Sequence, residues 1–299
     1  MYLKLPHDVP EKAQLSELFG FTPPDAFLHL IQVLYEQSNG FGGGASDLFS
    51  AITGQELAGS DARYPSTPPE LFPFVDMGVD GVHLGYVIHA PELNLRDYPV
   101  GEHSPMDPGG VYLVGNNTNE ALENLMSEQL EYIAHDLDEA EEGPELEGRG
   151  VELIQRIAHL LDLAPDGSKA DRRYGPEGNG LSVVPFVPIG WQYVPSSDGI
   201  GVLAPVEAFA PMPLELYDRS QLAEDYIQAA DQAFAEGFPA TALYYLRQGR
   251  WRHWTDDAAN DAFSVRLIGT YSVLGRFSLA EVVERERVKQ QRQRRPRLP

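Results

Sequence analysis

The sequence predicts an α+β protein in which strands and helices are mixed up to about residue 210 and helices alone follow. Three observations support this class. Apolar side chains alternate along 82–90, which is typical of a strand. They recur at helical spacing in 22–38 and in 117–136. From about residue 218, four helical patterns follow one another across short glycine-marked breaks, which favours antiparallel helical hairpins.

Two further elements come before the sheet. A short helix is expected at 11–19, and the clearer helix of 22–38 has Thr22 as its candidate N-cap. Residues 45–58 fit either a short helix or a strand. The stretch 59–81 is rich in proline, glycine and acidic residues, so we expect mostly loop with short extended pieces there.

The middle of the chain supplies most of the predicted strands. The best strand is 82–90. One face of this strand carries Val82, Leu84, Tyr86 and Ile88. The other face carries His83, Gly85, Val87 and His89. The other elements predicted here are strands at 109–115, 181–194 and 199–205, and helices at 117–136 and 149–163.

The composition limits what kind of protein this is. The chain has 299 residues and no cysteine, which excludes disulfides, thiolate metal sites and cysteine nucleophiles and fits a reducing compartment. No apolar run reaches the roughly 18 residues of a membrane-spanning helix, and the first residues lack the pattern of a signal peptide. We therefore expect a cytoplasmic protein without a membrane partner.

The charge is strongly negative and unevenly distributed. The net charge is −23, from 22 basic and 45 acidic residues. Residues 285–299 hold seven of the basic and one of the acidic residues, so 1–284 carry 15 basic and 44 acidic side chains, a net charge of −29. Such a body repels nucleic-acid phosphates and favours a basic protein partner. The basic tail could contact RNA or an acidic surface, but a frayed, solvated end is the simpler interpretation.

Three segments resemble the SMI1/KNR4 (SUKH) superfamily. "TPPDAFLHLIQVLYEQSNGFGG" is similar to its opening helix, "LFPFVDMGVDGVHLGYVI" to its central turn and strand, and "VYLVGNNTNEALENLM" to its last strand and closing helix. The resemblance covers about 20–130, with the segments in the expected order. The chain departs from the pattern in its length, in lacking tryptophan before residue 191, and in everything beyond 150.

The resemblance implies an α+β fold with a mostly antiparallel sheet flanked by helices. It also implies binding without established catalysis, because members are similar to bacterial immunity proteins that neutralise toxin domains and to eukaryotic scaffold or regulatory proteins. We therefore predict a SUKH-like domain at 1–210, with a core of about 20–135.

The segment 220–288 resembles a tetratricopeptide-type helical array, through "ATALYYL" and "LIGTYSVLGRFSLAEVV". Two helix pairs fall below the usual minimum of about three repeats, so this part is expected to dock on the rest of the chain. The predicted domains are completed by this helical segment, at 218–288, and by a basic tail at 289–299 that is expected to be disordered.

The region around 68–89 raises the question of a chemical site. The residues whose types suit a divalent metal or acid/base chemistry are Asp76, Asp80, His83, His89, His103 and Asp107. A straight strand would separate His83 from His89 by roughly 20 Å, too far for one ion. The glycines make "DMGVDG" typical of a turn, and both histidines are then expected on the solvent face of a half-buried strand. We favour this turn and strand over a metal or acid/base site.

Three tryptophans are the remaining candidates for a binding site. Trp191, Trp251 and Trp254 are suited to anchor an interface. The segment "RQGRWRHW", 247–254, is the only basic-aromatic patch in the acidic body. It could stack on nucleic-acid bases or bind the acidic body itself, and we favour an internal or interdomain role.

These patterns predict a non-enzymatic protein-binding module, either an immunity-type protein that neutralises a toxin or a regulatory scaffold. The partner is expected to be a basic protein, a toxin domain or a regulated protein, and nucleic acid is expected only at the basic tail. The predicted partner-binding residues are Asp76, Asp80, His83, His89, Trp191, Trp251 and Trp254. No cofactor is expected; the alternative function is a metal-dependent hydrolase that uses Asp76, Asp80 and a nearby histidine.

Overall fold

The structure is a computed structural model that describes residues 3, 5–6, 8–106, 110–139, 144–167, 182–211 and 222–294. Its contacts divide the chain into two compact units, which we call the sheet unit and the helical unit. The sheet unit comprises Met1–Arg63, Leu71–Val87 and Arg96–Val183. The helical unit comprises Tyr64–Glu70, Ile88–Leu95 and Val184–Pro299. This division differs from the predicted ranges, because 184–210 group with the helices instead of with the sheet.

The described part of the sheet unit confirms the predicted α+β class with an antiparallel sheet. The strands are β1 (Glu56–Leu57), β2 (Leu71–Asp76), β3 (His83–Val87), β4 (Val100–His103) and β5 (Val111–Gly115), and they neighbour one another in chain order. The helices are α1 (Lys12–Phe19), α2 (Asp25–Ser38), α3 (Ala45–Thr53), α4 (Thr118–Glu139) and α5 (Pro144–Leu160). The ambiguous stretch 45–58 is thus a helix followed by a short strand.

The start of α2 differs from the prediction by three residues. Thr22 was the expected cap, but the helix begins at Asp25, and Pro24 is extended with φ −59° and ψ 156°. Each of the two residues before Pro24 is itself followed by a proline, and a residue before proline is disfavoured in the helical conformation. The two prolines therefore delay the helix until Asp25.

Aromatic side chains fill the core of the sheet unit. The rings of Phe74 and Tyr86 stack with centroids 4.7 Å apart, and Phe27 packs edge-on against Phe74 at 5.4 Å. The hydroxyl groups of Tyr86 and Thr118 are 2.9 Å apart, and the Thr118 hydroxyl donates to the Asp97 carboxylate at 2.7 Å. Since α4 begins at Thr118, these hydrogen bonds hold the start of α4 against the core.

The described part of the helical unit contains a two-stranded antiparallel sheet and a run of consecutive helices. The strands are β6 (Trp191–Val194) and β7 (Val202–Pro205). The helices are α6 (Ala223–Ala235), α7 (Pro239–Arg252), α8 (Asp257–Val273) and α9 (Phe277–Arg294). Each helix packs against the next along the chain. The predicted breaks at Gly237 and Gly275 are confirmed, and both glycines have the positive φ that favours this residue.

Two predictions for the ends of the helical unit need correction. The strand expected at 181–194 begins only at Trp191, because Pro185 and Pro188 lack the N–H that a strand would pair. The tail expected to be disordered from residue 289 is helical as far as Arg294. Within the described ranges, no helix combines the length and the apolar character needed to cross a membrane.

Two helical glycines provide a matched test of how closely α7 and α8 pack. A Cβ on Gly249 in α7 would lie 2.5 Å from the buried ring of Phe263, whereas a Cβ on the exposed Gly269 in α8 would meet no atom within 4 Å. We expect Gly249→Ala to lower the free energy of unfolding by about 1–3 kcal/mol through overpacking. Gly269→Ala should raise it by about 0.5–1 kcal/mol through helix propensity. Urea unfolding of both variants checks the opposite signs; equal effects would contradict the close approach.

Candidate functional site

The acidic turn that joins β2 to β3 has a structural role. Asp76 ends β2, and its carboxylate accepts a hydrogen bond of 2.8 Å from the backbone N–H of Gly78. Asp80 is exposed and has a φ of 47°, and Gly78 and Gly81 also have positive φ. The turn interpretation of "DMGVDG" is therefore confirmed, because both aspartates serve the conformation of the backbone.

The expectation that His83 lies on a solvent face is wrong. His83 lies opposite His103 on β4, both side chains are buried, and their ring centroids are 5.3 Å apart. The ring of His83 makes a hydrogen bond of 2.9 Å with the carbonyl of Gly81. Every residue of β3 is buried, so alternation along the strand does not mark a solvent side.

Burial also changes the chemistry of His83. Loss of hydration lowers its pKa to about 4, although the Gly81 carbonyl and the charge of Asp76 act in the opposite direction and Arg63 lowers it further. A ring with this pKa is neutral at physiological pH. It is therefore a poor acid/base catalyst near neutrality, since such a group works best with a pKa near the operating pH.

His89 is not an exposed strand residue either. It lies beyond the end of β3, within the helical unit, and is buried. Its Nε2 is 2.9 Å from the carbonyl oxygen of Ile200, and its ring packs edge-on against Tyr193 at 6.1 Å. His89 therefore supports the loop between β6 and β7.

The alternative of a metal site finds no support in this geometry. Among the described residues, no three His, Asp or Glu side chains lie where they could hold a metal ion. Asp107, one of the candidates, lies outside the described residues. The structure places Asp76 directly opposite His83 across the β2–β3 pair and His83 opposite His103 on β4, whereas Asp80 lies exposed at the turn.

Two of the three tryptophans share a small cleft in the helical unit. Trp251 and Trp254 line it together with Arg250 and prolines 65, 68 and 69. Its volume of about 20 Å³ admits a water molecule and nothing much larger. Arg250 donates to the carbonyl of Pro65 and to the carboxylate of Glu286, both at 3.2 Å. Arg250 of "RQGRWRHW" is therefore buried and bound within this unit, while Trp254 is partly exposed at the cleft.

A buried ionic cluster lies beside this cleft and was not predicted. Arg247 donates to Asp198 at 2.9 Å and to Glu70 at 3.0 Å, and Tyr271 donates to the same Glu70 oxygen at 2.7 Å. All four side chains are almost fully buried. The signal in the sequence was an arginine on the face of α7 that otherwise carries buried residues, such as Ala240 and Leu243.

The electrostatics of this cluster favour a structural role. Burial works to raise the pKa of Asp198, but Arg247 and hydrogen bonds from Ser196 and Ile200 outweigh it, so the pKa is lowered. Burial likewise works to lower the pKa of Arg247, but the charges of Asp198 and Glu70 outweigh it and raise the pKa. Neither group exchanges its proton near neutral pH, so the pair is unsuited to acid/base catalysis, and loss of one partner would leave the other charge buried without its counterion.

The segment directly before β6 is the most exposed apolar stretch of the described chain. We define the apolar segment as residues 184–189, in which Ile189 is fully exposed and Phe186 is 71% exposed. The exposed large side chains of this region are Val184, Phe186, Val187, Ile189 and Val206. Val206 lies next to this segment in space, because its N–H donates a hydrogen bond of 3.0 Å to the carbonyl of Gly190.

This region also lacks charge. Between residues 182 and 206 the only charged residue is Asp198, which is buried and paired with Arg247. Trp191, one of the predicted partner-binding residues, is half-buried and begins β6 immediately after the segment. The prediction had treated this run as part of a strand; its two prolines were the signal that its side chains would stay outside a sheet.

Comparison with known proteins adds no assignment: no protein-family model matches the chain, and the search of curated proteins found no match either.

Proposed function

We propose that this chain is a non-enzymatic protein-binding module that holds a basic protein partner through the apolar segment 184–189. The observation that carries the proposal is the exposure of Phe186, Val187 and Ile189 in one short stretch. Single exposed apolar side chains are ordinary, but a contiguous group of them is typical of an interaction surface.

The energetic argument follows from what a partner would gain. Covering one exposed side chain of this size contributes about 1.5–3 kcal/mol. Phe186 and Ile189 could therefore act as the anchors of an interface, with the half-buried Trp191 beside them. The absence of exposed charge between residues 182 and 206 removes the cost of desolvating ions at the centre of the contact.

The charge of the rest of the chain selects the partner. A net charge of −23 attracts a basic protein, accelerates its encounter at low ionic strength and repels acidic competitors. A basic toxin domain or a basic regulated protein fits this description, in line with the resemblance to the SMI1/KNR4 superfamily. The metal-dependent hydrolase remains an alternative without support from the described geometry.

Site-specific crosslinking tests this proposal. A photo-crosslinking amino acid at Val187, with capture from a lysate of the native organism, should join the chain to a basic protein, which is then purified. We expect Phe186→Ser combined with Ile189→Ser to weaken binding of that protein by about 100-fold or more, because each anchor supplies about 1.5–3 kcal/mol and about 1.4 kcal/mol is a tenfold change in affinity. The association rate with the unsubstituted chain should fall as salt rises.

The matched control is Val273→Ser, which changes an apolar side chain of 61% exposure in α8. It should leave both binding and the free energy of unfolding unchanged. Binding that survives the double substitution, or that is equally weakened by the control, would count against this surface.

A further inference from the structure

The exposed face of α9 carries cations that form no ion pair with any residue in the described part of the chain. Arg285, Lys289 and Arg292 are exposed, and none makes an ion pair with another described residue. In contrast, the arginines of the helical unit that form ion pairs are Arg247, Arg250, Arg266, Arg276 and Arg287. We call Arg285, Lys289 and Arg292 the basic stripe.

Helix geometry places the three cations on one side. They are four and three residues apart, so they lie on the same face of α9 over a length of about 10 Å. The half-buried Val288 lies between them, and together with Glu284 they line a shallow groove of about 460 Å³. The carboxylate of Glu284 is already engaged by Arg287, at 3.5 Å. The groove thus has an apolar floor and a cationic rim.

The stripe stands on an ordered element and not on a loose tail. Three other side chains of α9 are buried, those of Leu279, Val282 and Val283. Farther along, Arg287 donates to the carboxylate of Asp261 on α8, at 2.8 Å. The buried apolar side chains and the bond from Arg287 to Asp261 hold the helix in place, and the helix continues to Arg294. The cations therefore keep a fixed spacing. A fixed spacing lowers the entropy lost when a partner binds.

We infer that the basic stripe is a second docking surface, which takes an acidic amphipathic segment of a protein partner. Carboxylates at helical spacing would meet the three cations, and one apolar side chain between them would cover Val288. The surface is separate from the apolar segment 184–189 in sequence and has the opposite charge preference, so the inference does not depend on the proposed function.

Charge and chemistry favour a protein segment over nucleic acid. The stripe is short, and the exposed Glu281 lies one turn before Arg285. A nucleic-acid strand is a continuous polyanion, and the net charge of −29 carried by residues 1–284 disfavours its approach. Phosphates also gain nothing from the apolar floor at Val288. A short acidic segment can end where the stripe ends and use both features.

Fluorescence anisotropy with two probes tests the inference on the full chain. One probe is a labelled helical peptide with glutamates at i, i+4 and i+7 around one leucine, and the other is a labelled single-stranded oligonucleotide of equal charge. We expect the peptide to bind more tightly, and charge reversal (R285E, K289E and R292E together) to weaken it by at least about tenfold at low salt. The neutral triple variant with glutamine should lie between the two.

The control is a second charge reversal of equal size, R96E, R149E and R156E together, at exposed arginines of the sheet unit. It changes the net charge by the same amount as the charge reversal on α9. A loss of peptide binding caused only by long-range repulsion would therefore appear in both charge-reversal variants. Equal losses, tighter binding of the oligonucleotide, or no measurable binding of the peptide would each overturn the inference. Circular dichroism of the glutamine variant checks that α9 remains folded.

Discussion

Replacement of Arg247 by methionine is expected to lower the free energy of unfolding of the helical unit by about 3–5 kcal/mol. The substitution removes the only cation that pairs with Asp198 and Glu70 in the described structure, and both carboxylates are almost fully buried. The second carboxylate oxygen of Glu70 accepts no hydrogen bond from any described group, so Tyr271 alone would remain as its donor. Two buried charges would then lack compensation.

Urea unfolding followed by tryptophan fluorescence measures this effect, because all three tryptophans lie in the helical unit. The control is Arg266→Met, which removes a partly exposed pair with Asp231 and should cost only about 0–1 kcal/mol. Adding Asp198→Asn and Glu70→Gln to Arg247→Met should recover part of the loss, since the stranded charges are then removed. If Arg247→Met costs no more than the control, the cluster does not stabilise the fold as argued.

Acidification is expected to destabilise the sheet unit by up to about 3 kcal/mol through His83. Burial lowers the pKa of His83 from its ordinary value of 6.5 to about 4, so the folded chain holds the ring neutral. The unfolded chain binds the proton as pH falls below about 6.5, while the folded chain does not until about 4. The stability is therefore complete above the higher value and is lost as pH falls between the two.

Urea unfolding at several pH values between about 7.5 and 4.5, followed by far-ultraviolet circular dichroism, measures this slope. Tryptophan fluorescence in the same samples separates the helical unit from the sheet unit. His83→Gln should flatten the dependence, whatever its effect on the absolute stability. His29→Gln is the control, because that side chain is exposed on α2. An unchanged slope in His83→Gln would show that another group causes the acid sensitivity.

Local features of the chain were predicted well where their causes are local. The turn at Asp76, Gly78, Asp80 and Gly81 was expected because short polar side chains and glycine tolerate the required backbone angles, and the structure shows those angles. The breaks at Gly237 and Gly275 follow the same logic. Such signals depend on residues within a few positions of one another, so a sequence displays them directly.

Candidate site residues were predicted poorly because their surroundings come from distant parts of the chain. His83 was placed on a solvent face, but its neighbour across the sheet is His103, and no alternation in one strand reports what lies on the next. His89 was expected on the same solvent face of that strand and instead is buried and contacts Ile200. The pattern in a single strand shows which side chains share a face, and it does not show whether that face is covered.

The sequence by itself determined the α+β class, the run of helices after residue 218, the turn after β2 and the acidic charge, because periodicity, turn residues and charge are local or additive properties. Only the tertiary structure decided that Arg247 pairs with Glu70, 177 residues away, and that 184–189 stay outside a strand with their apolar side chains exposed. It also decided that the basic end of the chain is a helix to Arg294. Burial and pairing depend on which distant segments meet, and that is a property of the folded chain.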